Sequence, residues 1–88
     1  MSYRVILCPA ALRALQSMPE KIATACWEFI RGPLAENPYR VGKPLLEPLA
    51  PQYSARRGEY RVLYLIEDEQ VTVIITAISH RADAYRRG

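Results

Sequence analysis

Between Gln70 and Ser79 the chain reads QVTVIITAIS, an almost unbroken run of β-branched and aliphatic side chains. A run with no polar face belongs in the middle of a sheet, covered on both sides. The rest of the chain must therefore supply strands to flank it and helices to cover it. With 88 residues it must do so as one domain, spanning 1–88, with a modest core.

The flanking strands are legible upstream. From Tyr60 to Glu67 the sequence alternates, with Tyr60, Val62, Tyr64 and Ile66 on one face and Arg61, Leu63 and Leu65 on the other. Asp68-Glu69 turns the chain into the central run. Tyr53 to Arg57 reads as a further strand, joined to Tyr60 by a tight turn at Gly58-Glu59. Tyr3 to Cys8 (YRVILC) is a β-rich run ended by Pro9, and reads as a first strand. Pro9 then opens a helix carrying Ala11, Leu12, Leu15 and Met18 at spacings of three and four. Ser17-x-x-Glu20 is a capping-box pattern for a second helix running to about Arg31, whose apolar face is Ile22, Ala25, Cys26, Phe29 and Ile30. Gly32-Pro33 interrupts that helix and Asn37-Pro38 ends it. Residues 37–53 hold four prolines and read as a long connecting loop, pinned to the core by Leu45, Leu46 and Leu49. Ala82 to Arg87 reads as a short helix or a tail. The expected fold is α+β, in the order β-α-α-β-β-β, with a helical hairpin packed on a small, mostly antiparallel sheet.

Composition excludes some classes. Half the residues are hydrophobic and 24% are charged, which argues against wholesale disorder. Cys8 and Cys26 lack metal-ligand spacing and read as buried small hydrophobes, so neither a metal nor another cofactor is expected. The first residues lack the pattern of a signal peptide, and no apolar stretch approaches a bilayer span, so the reading is cytoplasmic, with no membrane partner. The net charge of +3 comes from ten arginines and two lysines, Lys21 and Lys43, against nine acids. Arginine bias suits planar recognition of phosphate or carboxylate; codon usage in a GC-rich genome produces the same bias.

The basic side chains concentrate with the only chemistry the chain offers. Arg56 or Arg57 lies across the Gly58-Glu59 turn from Arg61. If the next strand pairs antiparallel, His80 and Arg81 return beside Tyr60 and Arg61, with Tyr85 near. Such a patch suits a phosphodiester. RNA is cut when its own 2′-hydroxyl attacks the adjacent phosphate, which needs a base, charge stabilisation on the phosphorane and an acid for the 5′-oxygen. Arginines supply the second need. His80 is the natural proton carrier, and Tyr85 either donates a proton or stacks on a base. Each residue has a plainer reading. A histidine at a strand end is usually a satisfied surface or core residue, Arg61 pairs with an acid such as Asp83, and Tyr60 and Tyr64 pack in the core. Tyr85 caps that core, and Trp27 is either core or a partner anchor.

The string YSARRGEYRVLYLIEDEQVTVIITAISHRADAYRR, preceded by a helical hairpin and PYRVGKPL, resembles RelE-type toxins of bacterial toxin–antitoxin modules, in the RelE/ParE superfamily. The likeness covers almost the whole chain and rests on the order and spacing of R-x-G-x-YRVLY and HR-x-x-x-Y. It implies a microbial-RNase-like fold and metal-independent cleavage of mRNA in the ribosomal A site. It assigns catalysis to Arg61, His80, Arg81 and Tyr85, and RNA phosphate binding to Arg56, Arg57, Arg86 and Lys43. Some RelE toxins depend on lysines in the first basic strand; here Ser54 and Ala55 stand there, and arginines follow. The resemblance also implies a cognate antitoxin that covers the basic patch or displaces the C-terminal tail, and contact with operator DNA only through that complex. ParE-type relatives share the fold but act on DNA gyrase without cutting RNA. A degenerate toxin kept as an antitoxin-binding regulator is the remaining alternative.

Overall fold

The computed structural model describes residues 2–80, so the expected terminal helix or tail over 82–87 lies outside the described residues. Five strands form one sheet: β1 (Arg4–Leu7), β2 (Lys43–Pro44), β3 (Tyr53–Arg57), β4 (Tyr60–Glu67) and β5 (Thr72–His80). Their order across the sheet is β1-β5-β4-β3-β2. Only β1 and β5 pair in parallel; the other neighbours are antiparallel. The helices are α1 (Pro9–Ser17), α2 (Glu20–Phe29) and the short α3 (Pro38–Val41). The α+β class, the helical hairpin and the three-stranded meander are as the sequence implied.

The long run sits centrally, between β1 and β4, but among the described residues helices cover only one of its faces. Its Val73, Ile75 and Ile78 are buried on the side where α1 packs. Cross-strand pairing places Val5, Leu7, Val62, Tyr64 and Ile66 on that same side. The opposite side carries Ile74, Leu65 and Ile6 in one row, and Ile6 is 47% exposed. The expectation of a doubly covered strand is not met among the described residues, where α1 packs on one face of β5 and the row on the other is only half-buried.

Several local expectations are corrected. The capping box is not formed. Ser17 is the last residue of α1 and its hydroxyl donates to Ala14 O at 3.0 Å. Met18 and Pro19 are extended, and α2 starts at Glu20 with Pro19 at its N-cap. Gly32-Pro33 does not stop the second helix. The backbone widens into a π-helical turn over Ile30–Leu34, with the Ala35 N–H reaching back to Ile30 O. A widened turn accommodates the N–H that Pro33 lacks, and it keeps Ile30 and Leu34 fully buried. Leu12 is 43% exposed, Ala25 is also on the outside, and Trp27 is exposed, so it is not core.

The 37–53 segment is more ordered than a loop. It contains α3 and the edge strand β2, which pairs Lys43 with Ser54 and Pro44 with Tyr53. Gly42 between them is a requirement of close approach: a Cβ there would lie 2.2 Å from the Tyr64 hydroxyl. That hydroxyl is buried and donates to Pro38 O at 2.6 Å. Burial pushes the Tyr64 phenol up to about 12. Leu46 and Leu49 do not pin the segment; they are 86% and 48% exposed, because residues 45–52 form a turn projecting beyond the sheet edge.

A polar clasp closes the other end of the sheet. The Tyr3 hydroxyl donates to Asp68 at 2.7 Å, and the Tyr39 hydroxyl donates to the other oxygen of the same carboxylate. The clasp ties the start of β1 and α3 to the β4–β5 turn. Tyr39 also meets Tyr53 edge-on, and Tyr53 stacks on Tyr64. Hydrogen bonds from Tyr39 and Tyr3 hold the Asp68 carboxyl below its ordinary range, and Tyr39 is pushed up to about 12 by its bond to Asp68. A depressed carboxyl contributes stability that is present above its unfolded pKa and lost as pH falls through the folded value. A raised phenol contributes stability that is lost as pH rises from the ordinary tyrosine value through about 12. Denaturation of Tyr39→Phe against wild type should therefore show its largest deficit near neutrality, shrinking below about pH 4 and again above about pH 10. A deficit independent of pH would mean that the ring packing, not the hydroxyl, holds α3.

Candidate active site

The hairpin β3–β4 sets the site. Gly58, at φ +58, is followed by Glu59 at ordinary φ, the pattern of a two-residue hairpin turn that opens on glycine. The turn puts Arg57 opposite Tyr60 and Arg56 opposite Arg61. Strand β5 then places His80 opposite Tyr60 and Ser79 opposite Arg61. Directly paired residues share a face and successive rows alternate. Two rows result, one on each side of the sheet.

The open face carries Arg56, Arg61 and Ser79, all exposed. The next row on that face is Lys43, Ser54, Leu63 and Ala77, so Lys43 projects from the sheet edge on the same side as the two arginines. Among the described residues, none of these three cations has an acidic partner within 4 Å. The acids Glu67, Asp68 and Glu69 lie at the far end of β4, roughly 20 Å along the strand from Arg61. That distance exceeds the Debye length of about 8 Å at physiological salt, so they do not neutralise the patch.

The helix-side row carries Arg57, Tyr60 and His80. Its Arg57 guanidinium stacks 5.0 Å above the Phe29 ring, an attraction to the ring's negative face. The Tyr60 ring is buried against Phe29, and its hydroxyl donates to Ala25 O at 3.2 Å. Burial raises the Tyr60 phenol above its ordinary value. His80 is 8% exposed, and its Nε2 lies 3.5 Å from Glu59 Oε1 without hydrogen-bond geometry. Among the described residues, that nitrogen has no hydrogen-bond partner.

The expected gathering is therefore divided. Arg56 and Arg61 are brought together with Lys43 on one face. Arg57 and His80 reach the same end of the hairpin but face the helices, and Arg57 is engaged with Phe29. Arg81, Tyr85 and Arg86, with Asp83 as the alternative partner of Arg61, lie outside the described residues. Two features escaped the sequence reading. The sequence points to Lys43 as a phosphate contact, but its strand is masked by a proline-rich segment. In the sequence Glu59 is only a turn residue; its place beside the end of β5 follows once the β4–β5 register is known.

Cys26 is buried and free, with its thiol pushed up to about 11 by burial; Cys8 is half-buried and also free. Among the described residues, no group of three or more His, Cys, Asp or Glu is placed to hold a metal ion, and no helix is long and apolar enough to cross a membrane.

The fold, a five-stranded sheet backed by a helical hairpin, is shared by known proteins. The family model for the ParE toxin of type II toxin–antitoxin systems matches residues 5–85. Toxin RelG of Mycobacterium tuberculosis is 51% identical over 87 residues, covering 99% of this chain and all of the relative. Toxin RelE of the same organism is 51% identical over 84 residues, covering 96% of this chain and 87% of the relative. The crystal structure of the M. tuberculosis toxin–antitoxin complex RelBE2 superposes with a TM-score of 0.90 at 48% identity, covering 94% of this chain and 95% of that one. The chain belongs to the ParE toxin family of type II toxin–antitoxin systems, and within that superfamily it is a RelE-type toxin.

Like charges directly opposite one another on adjacent strands destabilise a sheet. Neutralising one of the pair should therefore strengthen the fold while weakening any polyanion contact. Arg56→Gln is expected to raise the unfolding free energy by about 0.5 kcal/mol at low salt, with the gain fading by 1 M salt. Urea unfolding at two ionic strengths measures this. A loss of stability would show that Arg56 has a partner within the fold.

Proposed function

We propose that this toxin is a ribosome-dependent mRNA endonuclease. The observation that carries the reading is the Arg56–Arg61 pair, exposed on the open face and without an acidic partner among the described residues. A repulsive pair weakens the free protein, and a phosphate bridging two guanidiniums converts that weakness into affinity. The reaction is transfer within the RNA. The 2′-oxygen forms a bond to the adjacent phosphorus and loses its proton. The bond from phosphorus to the 5′-oxygen breaks, and that oxygen gains a proton. The products are a 2′,3′-cyclic phosphate and a free 5′-hydroxyl. Arg61 and Arg56 stabilise the phosphorane oxygens, and Lys43 holds a neighbouring phosphate. Proton handling falls to the end of the hairpin where His80 lies, and the resemblance adds Arg81, Tyr85 and Arg86 from the C-terminal segment.

Cleavage in the A site explains how a small basic patch acts on mRNA without reading a long sequence, since the ribosome presents the substrate. A cognate antitoxin is the second partner in this reading, supported by the toxin–antitoxin nature of the RelBE2 structure. Operator DNA is reached only through that complex, and the site of action is the cytoplasm.

Transcript 5′ ends mapped minutes after induction test the reading, with Arg61→Ala as control. New ends inside translated codons with wild type, and a loss of about a hundredfold or more in their yield with the variant, are expected. Growth arrest without new ends would move the target to gyrase, and absence of both would leave an antitoxin-binding regulator.

A further inference from the structure

We propose that Glu59 is the proton acceptor of the cleavage reaction and that His80 is the positioning residue behind it. This assignment rests on the endonuclease reading and deepens it. Arginine is a poor base, and the sequence offers a single histidine for a reaction with two proton transfers. The structure places that histidine where it cannot serve substrate directly. His80 is 8% exposed, belongs to the helix-side row with Tyr60 and Arg57, and has an Nε2 closed to solvent.

What Nε2 does face is a carboxylate. Glu59 Oε1 is 3.5 Å away, and the Glu59 side chain is 59% exposed. The pair therefore has a buried member and an open member. A buried, unpartnered ring nitrogen is expensive, and a modest rotation of the exposed Glu59 side chain satisfies it. An N–H donated from His80 holds one carboxylate oxygen and leaves the other toward solvent. Glu59 also occupies the turn that joins the Arg56 and Arg61 strands, and it precedes Arg61 by two residues. A phosphate held by those arginines at the end of the open face lies beside that turn. The free carboxylate oxygen is thus the exposed basic group nearest to a 2′-hydroxyl there. Glu59 takes the proton from the 2′-hydroxyl as the 2′-oxygen bonds to phosphorus and the 5′-oxygen departs. The proton for the departing oxygen comes from water.

Single-turnover cleavage on ribosomes programmed with mRNA tests the assignment, using the full chain as wild type, Glu59→Gln, His80→Gln and His80→Leu. Glu59→Gln retains the shape of the side chain and an acceptor for His80 but removes the basic oxygen. Its rate constant is expected to fall by about a hundredfold or more, with the half-saturating concentration unchanged. His80→Gln retains an N–H donor and is expected to stay within a few-fold of wild type, whereas His80→Leu loses most of the rate. Thermal melts establish that each variant is folded; if His80→Leu is not, the two glutamine variants decide. Wild-type rates in Glu59→Gln would overturn the assignment while leaving the endonuclease reading intact. So would a His80→Gln protein as inactive as Glu59→Gln, because His80 would then move the proton itself. Wild-type protein that cleaves nothing would overturn both.

Discussion

Strand register decides what this protein can do. The two-residue turn at Gly58-Glu59 fixes Arg56 opposite Arg61 and Arg57 opposite Tyr60, and β5 extends both rows. A slip of one residue in β4 would send Arg61 under the helices and Tyr60 into water, and one in β3 would do the same to Arg56. The apolar row prevents it, because Ala55, Val62 and Ile78 share the next buried row and Tyr64 and Ile75 the one after. The same packing that hides Tyr60 therefore exposes Arg61. The core and the site are alternate rows of one pattern.

The two faces of the sheet divide stability from function. On the helix side, polar groups are largely settled: Tyr60 and Tyr64 donate to backbone carbonyls, and Arg57 lies on Phe29. On the open side, the arginine pair and Lys43 have no acidic partner among the described residues. Removing charge there should help the fold slightly, so the pair is not explained by stability. The clasp of Tyr3 and Tyr39 on Asp68 lies at the opposite end of β4, where acidic charge anchors the sheet without neutralising the basic end. His80 stands at the boundary of the two regimes, buried with the core yet turned toward an exposed carboxylate.

Much of the fold was legible because its signals were local. Alternation in YRVLYLIE, a glycine turn and a β-branched run specify a meander without knowledge of the remainder. The failures were tertiary or competitive. Pro33 looked like a stop, but burial of Ile30 and Leu34 on either side favours continuing through a π turn. Leu46 has the residue type of a core position and is 86% exposed, because residues 45–52 form a turn that projects beyond the sheet edge. At the site, residue types identified the arginines, and only register could assign faces. Arg61 and His80 are close in topology and opposite in orientation, a difference that depends on the register shift between Leu63 and Tyr64.

The central claim is that the exposed arginine pair supports attack by the RNA's own 2′-hydroxyl. Purified protein, ribosomes and an mRNA carrying a single 2′-deoxy nucleotide immediately 5′ of the scissile phosphate test it most directly. The account predicts that the ribose message is cut to a 2′,3′-cyclic phosphate and a 5′-hydroxyl, and that the 2′-deoxy message is not cut at that position. Equal cleavage of both messages would contradict it, since the nucleophile would then have to come from water or the protein.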